Sequence, residues 1–262
     1  MDKSSRIDMQ VIDAHIHPFV DPAGNFAPYG APGSLDELIN DLKNAGISMA
    51  CGSVLVREAV SAFEDIVRLN DHALGIRARY PDFYIPGIHV HGDFPTESCA
   101  ELERMHAVGV RWIGELVPYI MKTGSFDAPG MMDIYAVARD LDMPVNVHVN
   151  STDELKNVVS NFPKLKIVIA HPGDVGEAQK RFEYIAAHDN VYIDISGTGL
   201  FRWNMLRYAI DICGSEKILF GSDFPICNSA MMLHGVLAEH LTDAERENVL
   251  SKNFLRLTGM DY

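Results

Sequence analysis

Cysteine is scarce in this sequence and shows no paired spacing: Cys51, Cys99, Cys213 and Cys227 lie far apart, with no Cys-x-x-Cys. That excludes a disulfide scaffold or a thiolate zinc cluster and leads to the expectation of a reduced, cytoplasmic protein. No uncharged apolar run reaches the ~18 residues a membrane span needs, and the opening residues lack the apolar stretch of a secretory signal. Basic residues are few as well. Twenty-two Lys and Arg against 36 Asp and Glu give a formal net charge of −14, which argues against a nucleic-acid surface and leaves a small-molecule pocket open. No Gly-x-Gly-x-x-Gly or phosphate loop occurs, so no nucleotide cofactor is expected. Nor does a Pro/Gly/Ser-rich linker divide the chain, and residues 1–262 are expected to form one domain.

What is there is an alternation of short β-branched runs with longer amphipathic ones. Strands are expected near 10–16, 49–56, 83–91, 110–117, 144–149, 166–171, 191–196 and 218–223. Helices are expected near 35–45, 59–79, 96–108, 131–142, 152–162, 176–188, 201–213 and 229–240, with a last one within 242–259. Eight strand–helix repeats in 262 residues indicate an α/β fold, a single (β/α)8 TIM barrel; an open doubly wound sheet is the alternative. Proline and glycine are densest between Pro18 and Ser34, which would place a long loop above the barrel mouth.

Several strand-like runs end in a residue able to hold a metal. The first ends in His15 and His17, two apart and therefore on one face of a strand. Others end in Glu115, His148, His171 and Asp223. In the fifth strand Val145, Val147 and Val149 alternate with Asn146, His148 and Asn150. A strand buried for stability alone would not carry three polar residues on one face. Imidazole and carboxylate donors at one end of successive barrel strands suit a divalent ion with a coordination position left open, and zinc is the expected ion.

The segments Asp13-Ala14-His15-Ile16-His17-Pro18, Val147-His148, Ile169-Ala170-His171-Pro172-Gly173 and Phe220-Gly221-Ser222-Asp223-Phe224-Pro225 resemble the amidohydrolase superfamily. The branch they resemble holds the amidohydrolase-related, metal-dependent hydrolases and decarboxylases. Asn253-Phe254-Leu255-Arg256-Leu257 is similar to that branch's terminal helix, so the resemblance spans about residues 10–258.

The resemblance implies His15, His17, His148 and Asp223 as metal ligands. His171 is then a catalytic histidine or a ligand of a second metal, and Asp223 also takes the proton of the attacking water. Glu115 resembles the bridging glutamate of TatD-type nucleases; in that arrangement one ion uses His15, His17, Glu115 and Asp223, and the other Glu115, His148 and His171. The alternative is a Glu115 that only hydrogen-bonds a ligand, and one ion is the preferred count. His91, Arg57 and Arg202 are candidates for substrate contact, while Asp194 and Asp13 are candidates to orient ligating imidazoles. The reaction expected is hydrolysis of a small ester, lactone or amide, carboxylated, by metal-activated water. The alternative is metal-dependent non-oxidative decarboxylation, followed by a TatD-like phosphodiesterase. A homodimer is expected by analogy with the superfamily.

Overall fold

Eight short parallel strands, neighbours in space in the same order as in the chain, form the centre of the computed structural model, which describes residues 9–56 and 60–261. They are β1 (Ile12–Asp13), β2 (Met49–Ser53), β3 (Tyr84–Ile88), β4 (Trp112–Leu116), β5 (Val145–Val147), β6 (Ile167–Ile169), β7 (Val191–Asp194) and β8 (Ile218–Leu219). Each falls inside its expected run and is shorter, because the ends leave the ladder to point side chains into the mouth.

Backbone bonds beyond the named strands close the ring between first and last. Ala14 N donates to Phe220 O at 2.9 Å, Asp223 N to His15 O at 2.7 Å and His17 N to Phe224 O at 2.8 Å. The structure is a (β/α)8 barrel, as expected. Two of the closing bonds involve backbone of His15, His17 or Asp223, so closure and the placing of these residues are one event.

The helices are α1 (Leu35–Asn44), α2 (Phe63–Arg79), α3 (Pro95–Ala107), α4 (Pro118–Met121), α5 (Pro129–Asp140), α6 (Lys156–Asn161), α7 (Val175–Ala186), α8 (Met205–Cys213), α9 (Ser229–Ala238), α10 (Asp243–Glu247) and α11 (Asn253–Thr258). Helix α1 shows the local logic. Ser34 Oγ accepts from Glu37 N at 3.2 Å, Asp36 and Glu37 sit in the first turn, and Leu38, Ile39 and Leu42 face the core. Two departures from expectation stand out: α4 had no periodic signal, and α8 starts at Met205 because residues 201–204 form a turn.

Val145 and Val147 pack outward against the helices. At the end of the barrel away from the strand C-termini, Ile12, Met49, Ile85, Trp112, Val168 and Leu219 meet Phe254 and Leu257 of α11, with the Trp112 and Phe254 rings 5.2 Å apart. A π-helical turn, Asn248–Lys252, joins α10 to α11. Within it Val249 O accepts from Phe220 N at 2.8 Å, and just beyond it Asn253 Nδ2 reaches Ser215 O and Ile218 O, both at 2.7 Å. The terminal helix thus fixes β8 three residues before Asp223. No described helix is long and apolar enough to cross a membrane.

Candidate metal centre

His15 and His17 follow β1 on the inward face, and their Nε2 atoms stand 3.2 Å apart. Both rings are buried. Two imidazole nitrogens at this distance cannot both carry protons without repulsion; an ion between them removes the conflict. His15 Nδ1 lies 3.0 Å from Asp194 Oδ2, and a carboxylate can only accept, so the proton sits on Nδ1 and the Nε2 lone pair faces inward.

Glu115 joins the two halves of the mouth. Its Oε2 lies 3.4 Å from both His15 Nε2 and His17 Nε2, while its Oε1 lies 2.8 Å from His148 Nδ1 and 3.3 Å from His171 Nε2. Asp223 Oδ1 sits 3.3 Å from His17 Nε2 and 3.8 Å from His15 Nε2. The donors of His15, His17 and Glu115 fall within 4.8 Å of one another, and so do those of Glu115, His148 and His171. Five of the six residues expected from the strand ends therefore converge in two groups sharing the Glu115 carboxylate, Asp223 adjoins the first through His17, and His15 and His171 also group with Asp194.

The backbone is bent to achieve this. The β4–β5 register shifts between Ile113 and Leu116, and Gly114 occupies φ +98° where a Cβ would meet Asn146 O at 2.2 Å. His171 and Asp223 take φ +64° and +66°, a left-handed conformation that costs a non-glycine residue about 1–3 kcal/mol. Gly197, at φ +63°, leaves the space that His171 fills: a Cβ there would sit 2.6 Å from His171 Nδ1.

Electrostatics show what the cluster lacks. Burial opposes charge on His17, yet Asp223 and Glu115 outweigh it and push its pKa up to about 9. Burial likewise opposes charge on His15 and His171, and the carboxylates of Asp194 and Glu115 raise the first and Glu115 the second. The imidazoles in turn hold Glu115, despite its burial, far below the usual carboxylate range. Without a cation the imidazoles must take protons to balance the carboxylates, and a divalent ion does the same work while freeing the lone pairs. Asp223 Oδ1 and His17 Nδ1, both buried, have no hydrogen-bond partner. The residues fit a divalent metal.

Asp194 is the hub beneath them. Its Oδ2 also accepts from Asn146 Nδ2 at 2.9 Å; its Oδ1 accepts from Ser196 N at 3.1 Å and from Ser196 Oγ, whose oxygen lies 2.9 Å from His171 Nδ1. The sequence reading missed Ser196, although Asp194-x-Ser196 carries the same period-two signal as His15-x-His17. Asp13 differs from expectation: it holds backbone, accepting from His15 N at 3.1 Å and Ser222 N at 2.9 Å, and orients no imidazole.

The substrate candidates fare differently. His91 is buried at the β3 end, its Nε2 without a partner and its ring 5.3 Å from Phe94, but it stands outside the cluster. Its neighbour His89 donates Nε2–H to Val54 O at 2.9 Å, and burial lowers its pKa to about 4, so it stays neutral. Arg202 turns away, its guanidinium 3.3 Å from Asp174 Oδ1 and stacked over Phe201, because the turn before α8 directs it toward the start of α7. Arg57 lies outside the described residues. Tyr119, which gave no sequence signal, places its ring 5.2 Å from that of His148.

A family model described as Amidohydrolase matches residues 12–259. No curated protein matches the chain. Among solved structures, 2,6-dihydroxybenzoate decarboxylase from Rhizobium aligns over 97% of this chain and 100% of its own, at TM-score 0.75 and 17% identity. 5-Carboxyvanillate decarboxylase from Novosphingobium aromaticivorans, with bound manganese, aligns over 97% and 98% at TM-score 0.74 and 13% identity. Dihydroxybenzoic acid decarboxylase from Polaromonas, with manganese and the inhibitor 2-nitroresorcinol, aligns over 96% and 97% at TM-score 0.74 and 17% identity. At such identities the likeness establishes a shared fold.

Proposed function

The chain belongs to the amidohydrolase family, and from that premise we propose that it is a divalent-metal-dependent enzyme that decarboxylates a small carboxylated substrate without oxidation. The observation that carries the reading is His171: one ring nitrogen is held by Ser196, and the other faces Glu115 inside a ligand-rich mouth. An imidazole raised toward the protonated form by Glu115, against its burial, is the donor that a carbon losing carbon dioxide requires. The three fold-matched structures named above are decarboxylases, which supports this reading and moves it ahead of the hydrolysis that the motifs alone placed first.

His15, His17 and Asp223 would hold the ion with Glu115; a second ion on Glu115, His148 and His171 belongs to the hydrolytic alternative below, because His171 Nε2 cannot both ligate and carry the proton it delivers. When bound, a divalent ion polarises carboxylate and carbonyl oxygens and acidifies water. The chain's own residues do the rest. Asp194 keeps the His15 lone pair inward, and the ring of Tyr119 flanks the mouth beside His148. His171 delivers its proton to the substrate carbon as the carbon–carboxyl bond breaks and its electron pair stays on that carbon; Ser196 and Asp194 hold the ring in place. His91 is the proposed substrate contact of the β3 end. Imidazole ligands suit zinc, whereas two of the matched structures hold manganese. The four cysteines, all free, suit the reduced compartment expected.

A second reading, hydrolysis, is favoured by Glu115, whose two oxygens face different histidine pairs, the arrangement a two-ion water-activating centre needs. One experiment separates them: zinc- or manganese-loaded protein incubated with hydroxybenzoates, lactones and esters in 18O-water. Headspace carbon dioxide with no 18O in the organic product supports decarboxylation; 18O in the product without carbon dioxide overturns it for hydrolysis.

A further inference from the structure

The carbonyls of Val149, Ala170 and His171 lie past the last β5–β6 ladder bond, Ala170 N to Val147 O at 2.9 Å, where no strand partner remains. One side chain serves all three. Arg181 on α7 donates through Nη1 to Ala170 O at 3.0 Å and to His171 O, and through Nη2 to Val149 O at 2.7 Å. Only 4% of it is exposed, and Glu177, one turn earlier, pairs with the same guanidinium. A buried charge is expensive to hold, and a planar fork with five donors spans three carbonyls from two strand ends more readily than the compact ammonium of a lysine.

What those strand ends carry is specific. Val149 follows His148 directly, Ala170 precedes His171, and His171 holds its left-handed backbone with its own carbonyl on the guanidinium. The His15–His17 turn is held by other groups: barrel closure onto β8, the bond from Ile16 N to Cys51 O, and Asp13, whose Oδ1 accepts from His15 N and Ser222 N.

We propose that Arg181 is a positioning residue: it sets the His148 and His171 imidazoles against Glu115 and leaves His15, His17 and Asp223 to the β1–β8 closure. The inference rests on the proposed site, with His171 as proton donor or as ligand alike; only the Mn(II) titration below rests on the two-ion alternative in which His148 and His171 are ligands. It gives the backbone of the two halves separate supports beside the carboxylates of Asp194 and Glu115 that they share, so the His148–His171 half can be loosened more than the other.

The test uses full-length Arg181→Met and Arg181→Lys. In metal-free protein, 15N–1H spectra of the histidine rings should show the His148 and His171 signals moved and those of His15 and His17 in place. In Mn(II) titrations by calorimetry, the ion that depends on His148 and His171 should weaken tenfold or more, with the other within about twofold. Arg181→Lys should recover part of the loss, since an ammonium reaches fewer of the carbonyls. Ring signals that all stay, or all move together with a falling melting temperature, would show a merely structural arginine and overturn the proposal. A single Mn(II) bound by the wild type, indifferent to His148→Ala, would overturn the two-ion arrangement instead, while the ring spectra still decide Arg181. Should Arg181→Met fail to fold, Arg181→Lys and Glu177→Gln carry the same comparison.

Discussion

His15 and Asp194, 179 residues apart in the chain, meet above β8, which separates their strands, with Nδ1 and Oδ2 at 3.0 Å. The same carboxylate reaches His171 through Ser196. One buried anion on β7 therefore orients an imidazole in each half of the mouth. Burial alone would raise the pKa of Asp194, but His15 and these hydrogen bonds drive it far down instead, so it remains a pure acceptor.

Asp194→Asn should break that coupling. The amide presents a donor where His15 needs an acceptor, so the ring turns or its proton moves to Nε2 and the inward lone pair is lost. Loss of such a supporting carboxylate typically lowers metal affinity about 10–100-fold. Titration of zinc into metal-free protein measures it, and wild-type affinity in the variant would show that Asp194 does not set the tautomer.

The legible part of this molecule is what a period of two encodes. His15-x-His17 and Asn146-x-His148 point into the mouth because alternation in a strand obliges them to, and the eight repeats gave the barrel for the same reason. The orientation of Glu115 was not legible, since the register shift between Ile113 and Leu116 breaks the alternation. His171 and Asp223 owe their aim to left-handed backbone, which has no signature at a non-glycine position. The course of Arg202 was not legible, because a loop side chain follows no period and its partner Asp174 is 28 residues away. Arg181 sits on a helix whose hydrophobic pattern gives no reason to expect a buried cation.

Gly197→Ala should injure the site and spare the fold. The position lies at φ +63°, and a Cβ would come within 2.6 Å of His171 Nδ1 and 3.3 Å of Asp223 Oδ2. The left-handed backbone itself costs alanine only about 1 kcal/mol relative to glycine, a few degrees of melting temperature. The larger effect falls on His171, which must leave Ser196. Turnover should drop at least tenfold while circular dichroism stays native. Unchanged turnover would mean that the position of His171 is not critical.

Metal removal should reverse the pH dependence of stability. His17 has a folded pKa of about 9 against 6.5 unfolded, and His15 and His171 are also raised. A raised histidine contributes stability that is fully present below its unfolded pKa and is lost as pH rises through the folded value, at about 1.4 kcal/mol per pKa unit. His89, lowered to about 4, works oppositely: its contribution is present above 6.5 and is lost as pH falls toward 4. Metal-free protein should therefore melt highest near pH 6.5 and lose several degrees by pH 9. A divalent ion competes with the same protons, so the stabilisation it adds should grow over that range. Melting curves with and without chelator test this; a metal-free optimum at pH 9 would sink the assignment of these imidazoles as the charge-balancing groups.

Asp223→Asn is the most direct probe of the chemistry. Asparagine tolerates left-handed backbone as well as aspartate does, so the φ of +66° should survive and the bond from the residue 223 amide to His15 O with it. What changes is the atom in the mouth: a buried carboxylate oxygen, without a hydrogen-bond partner and 3.3 Å from His17 Nε2, loses its charge and its ability to take a proton. Loss of a positioned acid–base group typically lowers kcat about 10²–10⁴-fold. Metal content measured alongside separates its two roles. A variant that keeps its metal but turns over slowly marks Asp223 as the proton carrier, and one that loses metal marks it as a ligand first. Near-normal turnover with full metal would remove Asp223 from the reaction altogether.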